Sequence, residues 1–395
     1  MSRGAESPPA RPHHARIASG VAPETTPARA MQGKQTMHFG VYSLGQEVVM
    51  LYRLSRAGLT SGKGATAFRL RTRGVTIFLD TWLDKPDVMS SYLAVDDVTE
   101  ADYIFISHAH LDHLPGADRI AIKTGAIVIA NCEAINCLRD AGVPEEQLFP
   151  VQGGERIPLF TSEIRIKTKE YESMRNPGFP GAPPMPAELS VHVWPSLHCL
   201  MPQDHPEVID TATVYTGAAS PYSCTLDITS GMKYGLLRIG DWLPAEKLTP
   251  GHRSFIRYVE DRKRNVFSHC DGGQLMFNFL VPTAAGDTKA LLWSAHLGGY
   301  EAVLRAMQPK PDTAILGIAG RANLDGRPFV GSAAEFASRQ VGWLGNPAQV
   351  IWCLHDETCI PPYKIDTDAA TVAVEKSGKT KVLPLKHAEM VSLGL

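Results

Sequence analysis

Residues 107–113 read Ser-His-Ala-His-Leu-Asp-His, which places His108, His110, His113 and the carboxylate of Asp112 within six residues. Neutral imidazole nitrogens and a carboxylate are the donors that suit zinc and similar divalent cations, and no lone core histidine accounts for four such groups together. A match to H-x-H-x-D-H arises by chance in about one chain in a thousand of this composition, so the segment reads as a metal loop. A bound divalent cation lowers the pKa of water from about 15.7 to about 7, which makes a hydroxide nucleophile without a serine or cysteine. Asp112 can orient that nucleophile while also acting as a ligand, and hydrolysis is the expected reaction class.

The elements around the loop alternate between strand and helix. A short apolar run over 102–107 reads as a buried strand leading straight into the metal loop. Before it, 46–52, 66–71 and 75–79 read as an antiparallel meander ending at Asp80, and after it 126–130 reads as a strand and 133–140 as a helix. Further strands are expected over 162–167 and 190–194, with a Pro- and Gly-rich loop over 176–186 between them. A stretch of mixed character at 202–270 reads as an insertion. Strands at 274–281 and 290–294, a helix at 300–307, a strand at 313–318, a helix at 333–343 and a strand at 349–354 complete an α/β pattern. Gly58-Leu-Thr-Ser-Gly-Lys has three residues between its glycines instead of the four of a phosphate loop and reads as a hairpin turn.

With these residues in place, the chain resembles the metallo-β-lactamase superfamily, whose metal loop has the pattern His-x-His-x-Asp-His after a buried strand. The resemblance implies a four-layer αββα sandwich with the site at the edge between two sheets. It assigns His108 and His110 to one metal, and Asp112 and His113 to a second. Asp80, in Thr76-Ile-Phe-Leu-Asp, matches the family's aspartate that braces the metal loop. His198, in Val191-His-Val-Trp-Pro-Ser-Leu-His-Cys, matches the third ligand of the first metal and is preferred to His192, which lies inside the strand pattern. His355, in Val350-Ile-Trp-Cys-Leu-His-Asp-Glu, matches the last ligand of the second metal, with Asp356 and Glu357 beside it.

One position departs from the family. Where it has a Gly-Asp whose carboxylate bridges both metals, Ala290-Leu-Leu-Trp-Ser-Ala-His-Leu-Gly-Gly-Tyr places His296; the alternative is the Gly-Asp at Asp241 in Arg238-Ile-Gly-Asp-Trp, which leaves a long surplus of residues before the downstream elements. An imidazole offers one lone pair and cannot bridge as a carboxylate does. The cofactor is therefore expected to be Zn2+, one or two per chain, with Mn2+ or Fe2+ as alternatives. Leu79-Asp-Thr-Trp-Leu and Pro311-Asp-Thr-Ala-Ile-Leu-Gly-Ile look most like the branch containing ascorbate-6-phosphate lactonase and related phospholipid-cleaving hydrolases.

Composition narrows the function. The 395 residues carry 39 Lys+Arg against 41 Asp+Glu, so a general basic field for nucleic acid is absent. No apolar run is long enough to span a membrane. The first 36 residues contain five Pro and five Arg/Lys and no apolar core of a signal peptide; they read as a disordered tail preceding one domain over 37–395 in the cytoplasm. Seven cysteines without repeated spacing read as reduced thiols. The expected function is cleavage of a small ester, lactone or phosphodiester by a metal-bound hydroxide, on a small-molecule substrate. A single-iron oxidoreductase acting on sulfur substrates, and a metal-depleted binding protein, are the other classes compatible with the sequence. Tyr222, His252, His269 and Arg321 are further candidates to touch substrate, while Cys199, Cys353 and Cys359 read as inert buried thiols.

Overall fold

The computed structural model describes residues 49–53, 66–91, 93–170, 187–202, 206–216, 225–355, 358–385 and 390–393. The tail, the turn at Gly58, the loop at 176–186, Tyr222, Asp356 and Glu357 lie outside the described residues. Six short strands come first: Met50–Arg53 (β1), Phe68–Thr72 (β2), Val75–Leu79 (β3), Tyr103–Phe105 (β4), Ile127–Ala130 (β5) and Leu148–Pro150 (β6). Seven more follow: Arg156–Leu159 (β7), Leu189–Pro195 (β8), Leu275–Pro282 (β9), Thr288–Ser294 (β10), Thr313–Gly317 (β11), Gln349–Cys353 (β12) and Lys381–Val382 (β13). Met390–Ser392 (β14) returns to the first group. They form two seven-stranded sheets, in the orders β14-β1-β2-β3-β4-β5-β6 and β13-β12-β11-β10-β9-β8-β7.

Each sheet is antiparallel in one half and parallel in the other. In the first, β14, β1, β2 and β3 pair antiparallel, and β3, β4, β5 and β6 pair parallel. In the second, β7, β8, β9 and β10 pair antiparallel, and β10, β11, β12 and β13 parallel. The period-two alternation of side chains along a strand then decides the layering. Ile77, Leu79, Tyr103 and Phe105 enter a core shared with Phe277, Phe279, Leu291, Trp293, Ile315 and Ile351, so this core lies between the sheets. Phe105 meets Phe277 and Phe279 edge-on at 5.1 and 5.0 Å.

The intervening residues face outward into two further cores. Phe78, Ile104 and Val128 pack with the helices Ala117–Thr124 (α1) and Cys132–Asp140 (α2), through Ile120, Ala121, Ile135 and Leu138. Met276, Leu292, Leu316 and Val350 pack with Ala333–Trp343 (α3) and Asp368–Glu375 (α4), through Phe336, Ala337, Val341, Ala370 and Val374. Strands buried on both faces need a layer on each side, and the result is the expected four-layer αββα sandwich. Caps fix the helix starts: Asn131 accepts from the Ala134 amide, and Ser332 with Glu335 forms a capping box at α3.

One local expectation needs correction, and two helices were not expected. Residues 162–167 are not a strand: Ser162–Glu170 is helical, and Thr161 accepts from the amides of Ile164 and Arg165 at its start. The alternating Ile164 and Ile166 looked like a pleat, but Ile166 is exposed and no sheet takes up the segment. Helix α1 was not foreseen, because its cap is Gly116 with φ 95° rather than a polar side chain. The stretch of mixed character read as an insertion holds an amphipathic helix, Pro250–Glu260 (αI), with Thr249 and His252 in a capping box and Pro250 at its first turn. Among the described residues no helix is long and apolar enough to cross a membrane, and six cysteines are free.

Candidate metal centre

The candidate donors lie at the carboxyl ends of strands, where open α/β sheets bind ligands. Asp80 follows β3 and His108 follows β4, which run parallel; His296 and His355 follow β10 and β12, also parallel in direction. Strand β8 is antiparallel to β9 and β9 to β10, so His198, past the end of β8, emerges at the same end as His296.

Asp80 organises the metal loop. Its backbone turns out of β3 with φ 52°, a left-handed conformation that Asp tolerates better than most residues. Its fully buried carboxylate accepts from the Ser107 amide at 2.9 Å, from the Ser107 hydroxyl at 3.0 Å, from the Thr66 hydroxyl, and from His113 Nδ1 at 2.6 Å. Ser107 Oγ, having donated to Asp80, stands 3.1 Å from His108 Nδ1 and accepts its proton. One carboxylate thus sets the orientation of two rings, directly for His113 and through Ser107 for His108, the arrangement that fixes a ligating histidine. On the second sheet, His198 Nδ1 donates to its neighbour's carbonyl, Cys199 O, at 2.7 Å, and His296 Nδ1 lies 3.2 Å from Cys199 Sγ.

Five rings converge. The centroid of His108 is 4.0 Å from that of His113, 4.6 Å from His110, 4.8 Å from His296 and 5.0 Å from His198, and His198 stacks on His296 at 3.8 Å. Donor atoms lie within 4.8 Å of one another in three groups: His108, His110 and His198; His108, His113 and His296; and His198, Cys199 and His296. The Nε2 atoms of His108, His110, His113 and His296 are buried without a hydrogen-bond partner. Buried ring nitrogens are costly unless something else engages them, and a soft or borderline divalent cation is what a set of imidazoles engages best.

Charge supports that fit. Burial, reinforced by the neighbouring rings, holds His108, His110 and His296 well below the usual histidine range, so they are neutral and carry free lone pairs. His113 differs: burial lowers it, but the carboxylates of Asp112 and Asp80 outweigh burial and raise it to about 10. Burial raises Asp112, and His113 and His110 overcome that and bring it to about 2. Asp112 Oδ2 stands 3.4 Å from His113 Nε2, with its side chain 32% exposed, so the carboxylate reaches the mouth of the site.

Two seven-stranded sheets packed face to face, helices on both outer faces, and a His-x-His-x-Asp-His loop leaving the first parallel strand pair at the sheets' common edge form a recognised combination. This is the metallo-β-lactamase fold. No family model matches the chain. A UPF0173 metal-dependent hydrolase of Anaeromyxobacter dehalogenans (strain 2CP-C) is 30% identical over 145 residues, 34% of this chain and 52% of that protein. The chain spans about half the length of the curated relatives it matches, or less: another such hydrolase, from Pyrobaculum arsenaticum, is 32% identical over 96 residues, 42% of its length. Among solved structures, a metallo hydrolase from the archaeon Ignicoccus hospitalis is 17% identical with a TM-score of 0.48, over 88% of this chain and 98% of that one.

Within the metallo-β-lactamase fold the remaining candidates separate clearly. His355 is half-buried past the end of β12 and belongs to none of the three close donor groups. Asp241, the alternative to His296, is exposed on the short helix Ile239–Trp242 and paired with Arg238 at 2.6 Å, outside the cluster. His192 lies on β8, inside the strand. His252 serves the cap of αI. The segment carrying His269 grips the metal loop through its backbone, with the Ser268 amide donating to Ala109 O at 2.8 Å and the Ala109 amide to Asp271 O at 3.1 Å. Sequence reasoning missed Ser107, Thr66 and Tyr258, whose hydroxyl donates to Leu111 O at 3.0 Å, and it undervalued Cys199. Only Cys199, next to His198, carried a signal. Gly298 marks where the two single-histidine segments cross: a Cβ there would overlap the carbonyl oxygen of Leu197.

Proposed function

We propose that this chain is a metal-dependent hydrolase of small esters, lactones or phosphodiesters. The observation that carries the reading is the convergence of five histidine rings into close donor groups at the strand ends of the two sheets. His108, His110 and His198 would hold one cation; Asp112, His113, His296 and His355 would hold a second where one is bound, with zinc the preferred ion. When bound, a divalent cation supplies water acidified to near neutral pKa and a Lewis acid for the oxygen under attack.

The chain's own residues do the rest. Asp80 and Ser107 hold the rings of His113 and His108 in place through Nδ1. Asp112, ionised and reaching the mouth, orients the attacking water. His296 contributes one lone pair where the resemblance calls for a bridging carboxylate, so the second cation is held more weakly than the first. Helix αI and Trp82 pack over Leu111 and exclude water from the outer side of the loop.

The test is elemental analysis of the purified protein with a His108→Ala/His110→Ala control, followed by screens on neutral esters, lactones and phosphodiesters. One to two zinc or manganese per chain, lost in the control together with hydrolysis, is the expected result. About one iron and no hydrolysis would overturn the hydrolase reading in favour of redox chemistry, and no metal at all would end both.

A further inference from the structure

Arg321 sits in the loop after β11, and that loop is fastened to the His198 segment. Leu200 and Arg321 exchange both backbone hydrogen bonds at 2.7 Å, and Asn323 Nδ2 donates to His198 O at 2.9 Å. Between β11 and Arg321, Gly320 takes φ 83° and passes so close to Cys199 that a Cβ would stand 2.8 Å from its sulfur. The guanidinium is buried, with 6% of the residue exposed, and lies over the Tyr215 ring at 5.3 Å. Among the described residues no carboxylate pairs with it, and Nε and Nη2 are buried without a hydrogen-bond partner.

Those two atoms are the informative part. Nε–H and the nearer Nη2–H point the same way along one edge of the guanidinium, and that edge receives the two oxygens of a carboxylate or phosphate side by side. The same molecule shows the edge in use at its surface: Arg139 donates through Nε to Glu145 Oε2 at 2.7 Å and through Nη2 to Glu145 Oε1 at 2.9 Å. Arg321 presents the identical edge, buried and empty of protein acceptors. A buried cation without a counter-charge is unfavourable, and an aromatic face offsets only part of that penalty.

We propose that Arg321 anchors an anionic group, a two-oxygen carboxylate or phosphate, of the ligand that enters beside His198. This deepens the hydrolase reading and rests on it for the identity of that ligand as substrate. The anchor would make the protein selective for anionic over neutral esters.

Isothermal titration of the full-length protein with inorganic phosphate and with acetate tests the proposal, on metal-loaded protein and again after metal removal. Wild type is expected to bind in both states, and Arg321→Gln to bind about tenfold more weakly in both. Arg321→Lys keeps the buried charge, and with it the fold, but removes the paired edge, and is expected to fall between them. Phosphate binding well above acetate binding identifies the phosphate class; the reverse order identifies carboxylates. In steady-state assays, Arg321→Gln is expected to raise KM for bis(p-nitrophenyl) phosphate about tenfold, and by more than it raises KM for the neutral p-nitrophenyl acetate. Equal anion affinity in wild type and Arg321→Gln would overturn the proposal. Binding that vanishes with the metal in wild type would overturn it too, leaving the hydrolase reading intact. Arg321-dependent binding in a protein that hydrolyses nothing would uphold the anion site and remove the hydrolase reading.

Discussion

The first sheet delivers its donors on one loop, His108 to His113, with Asp80 on the adjacent strand end binding Ser107 and His113 directly. The second sheet delivers His198, His296 and His355 from three strand ends, His198 held by Cys199 and Asn323 and His296 meeting the Cys199 sulfur. In the first case geometry is secured by hydrogen bonds that converge on a single carboxylate. In the second it depends on the register of strands packed far apart in the chain. Damage to the first set should therefore be chemical and local, whereas damage to the second should act through packing and fall unequally on its members.

The largest effect is expected at His108, which belongs to two of the close donor groups. His108→Ala should strip the metal and lower turnover by more than about a hundredfold, beyond the loss typical of residues that only support a ligand. His355→Ala should cost much less metal, since His355 stands outside those groups; equal loss in the two variants, read by elemental analysis, would break the contrast. Next comes Asp80→Ala. It orphans the Ser107 amide and releases two rings, so metal affinity should fall about 10- to 100-fold and stability by about 2–4 kcal/mol in urea denaturation. A loss of stability with unchanged metal affinity would show that Asp80 braces the strand and not the rings.

His296→Asp sharpens the comparison from the other sheet. A carboxylate there can give one oxygen to each of two cations, so the protein should move towards two metals per chain with the His108 group still filled. Unchanged stoichiometry would mean that position 296 does not limit the second ion. Tyr258→Phe removes one hydroxyl from the carbonyl of Leu111 and should cost about 1 kcal/mol in thermal unfolding, with a matching loosening of metal in chelator competition.

The smallest expected effect is at Asp84, where burial raises the carboxyl pKa but Arg119 and Arg264 overcome it and hold it below the usual carboxylate range. A carboxylate depressed in the folded state contributes its stability above the unfolded value and loses it as pH falls through the folded one. Asp84→Asn should therefore lower stability at pH 7 by no more than about 1 kcal/mol and narrow its difference from wild type in strong acid.

The same contrast explains what could be read from sequence. The metal loop was legible because its chemistry is packed into six consecutive residues after an apolar run. His198, His296 and His355 emerged only through resemblance and their place past strand ends, because nothing local distinguishes a ligand histidine from a structural one. The alternating isoleucines of Ser162–Glu170 misled, since a period of two needs a sheet to accept it and none does. The grip of 268–271 and of Tyr258 on the metal loop left no trace in the sequence, because backbone hydrogen bonds and a single hydroxyl depend on tertiary placement.

Gly298 lies at the crossing of the His198 and His296 segments, with its main chain close against the carbonyl of Leu197. The approach of those two segments therefore depends on a missing carbon. A single methyl at 298 would act as a wedge, widening the site by prising apart its two supports while leaving every donor atom chemically intact. At this position the aperture of the centre can be altered without its composition.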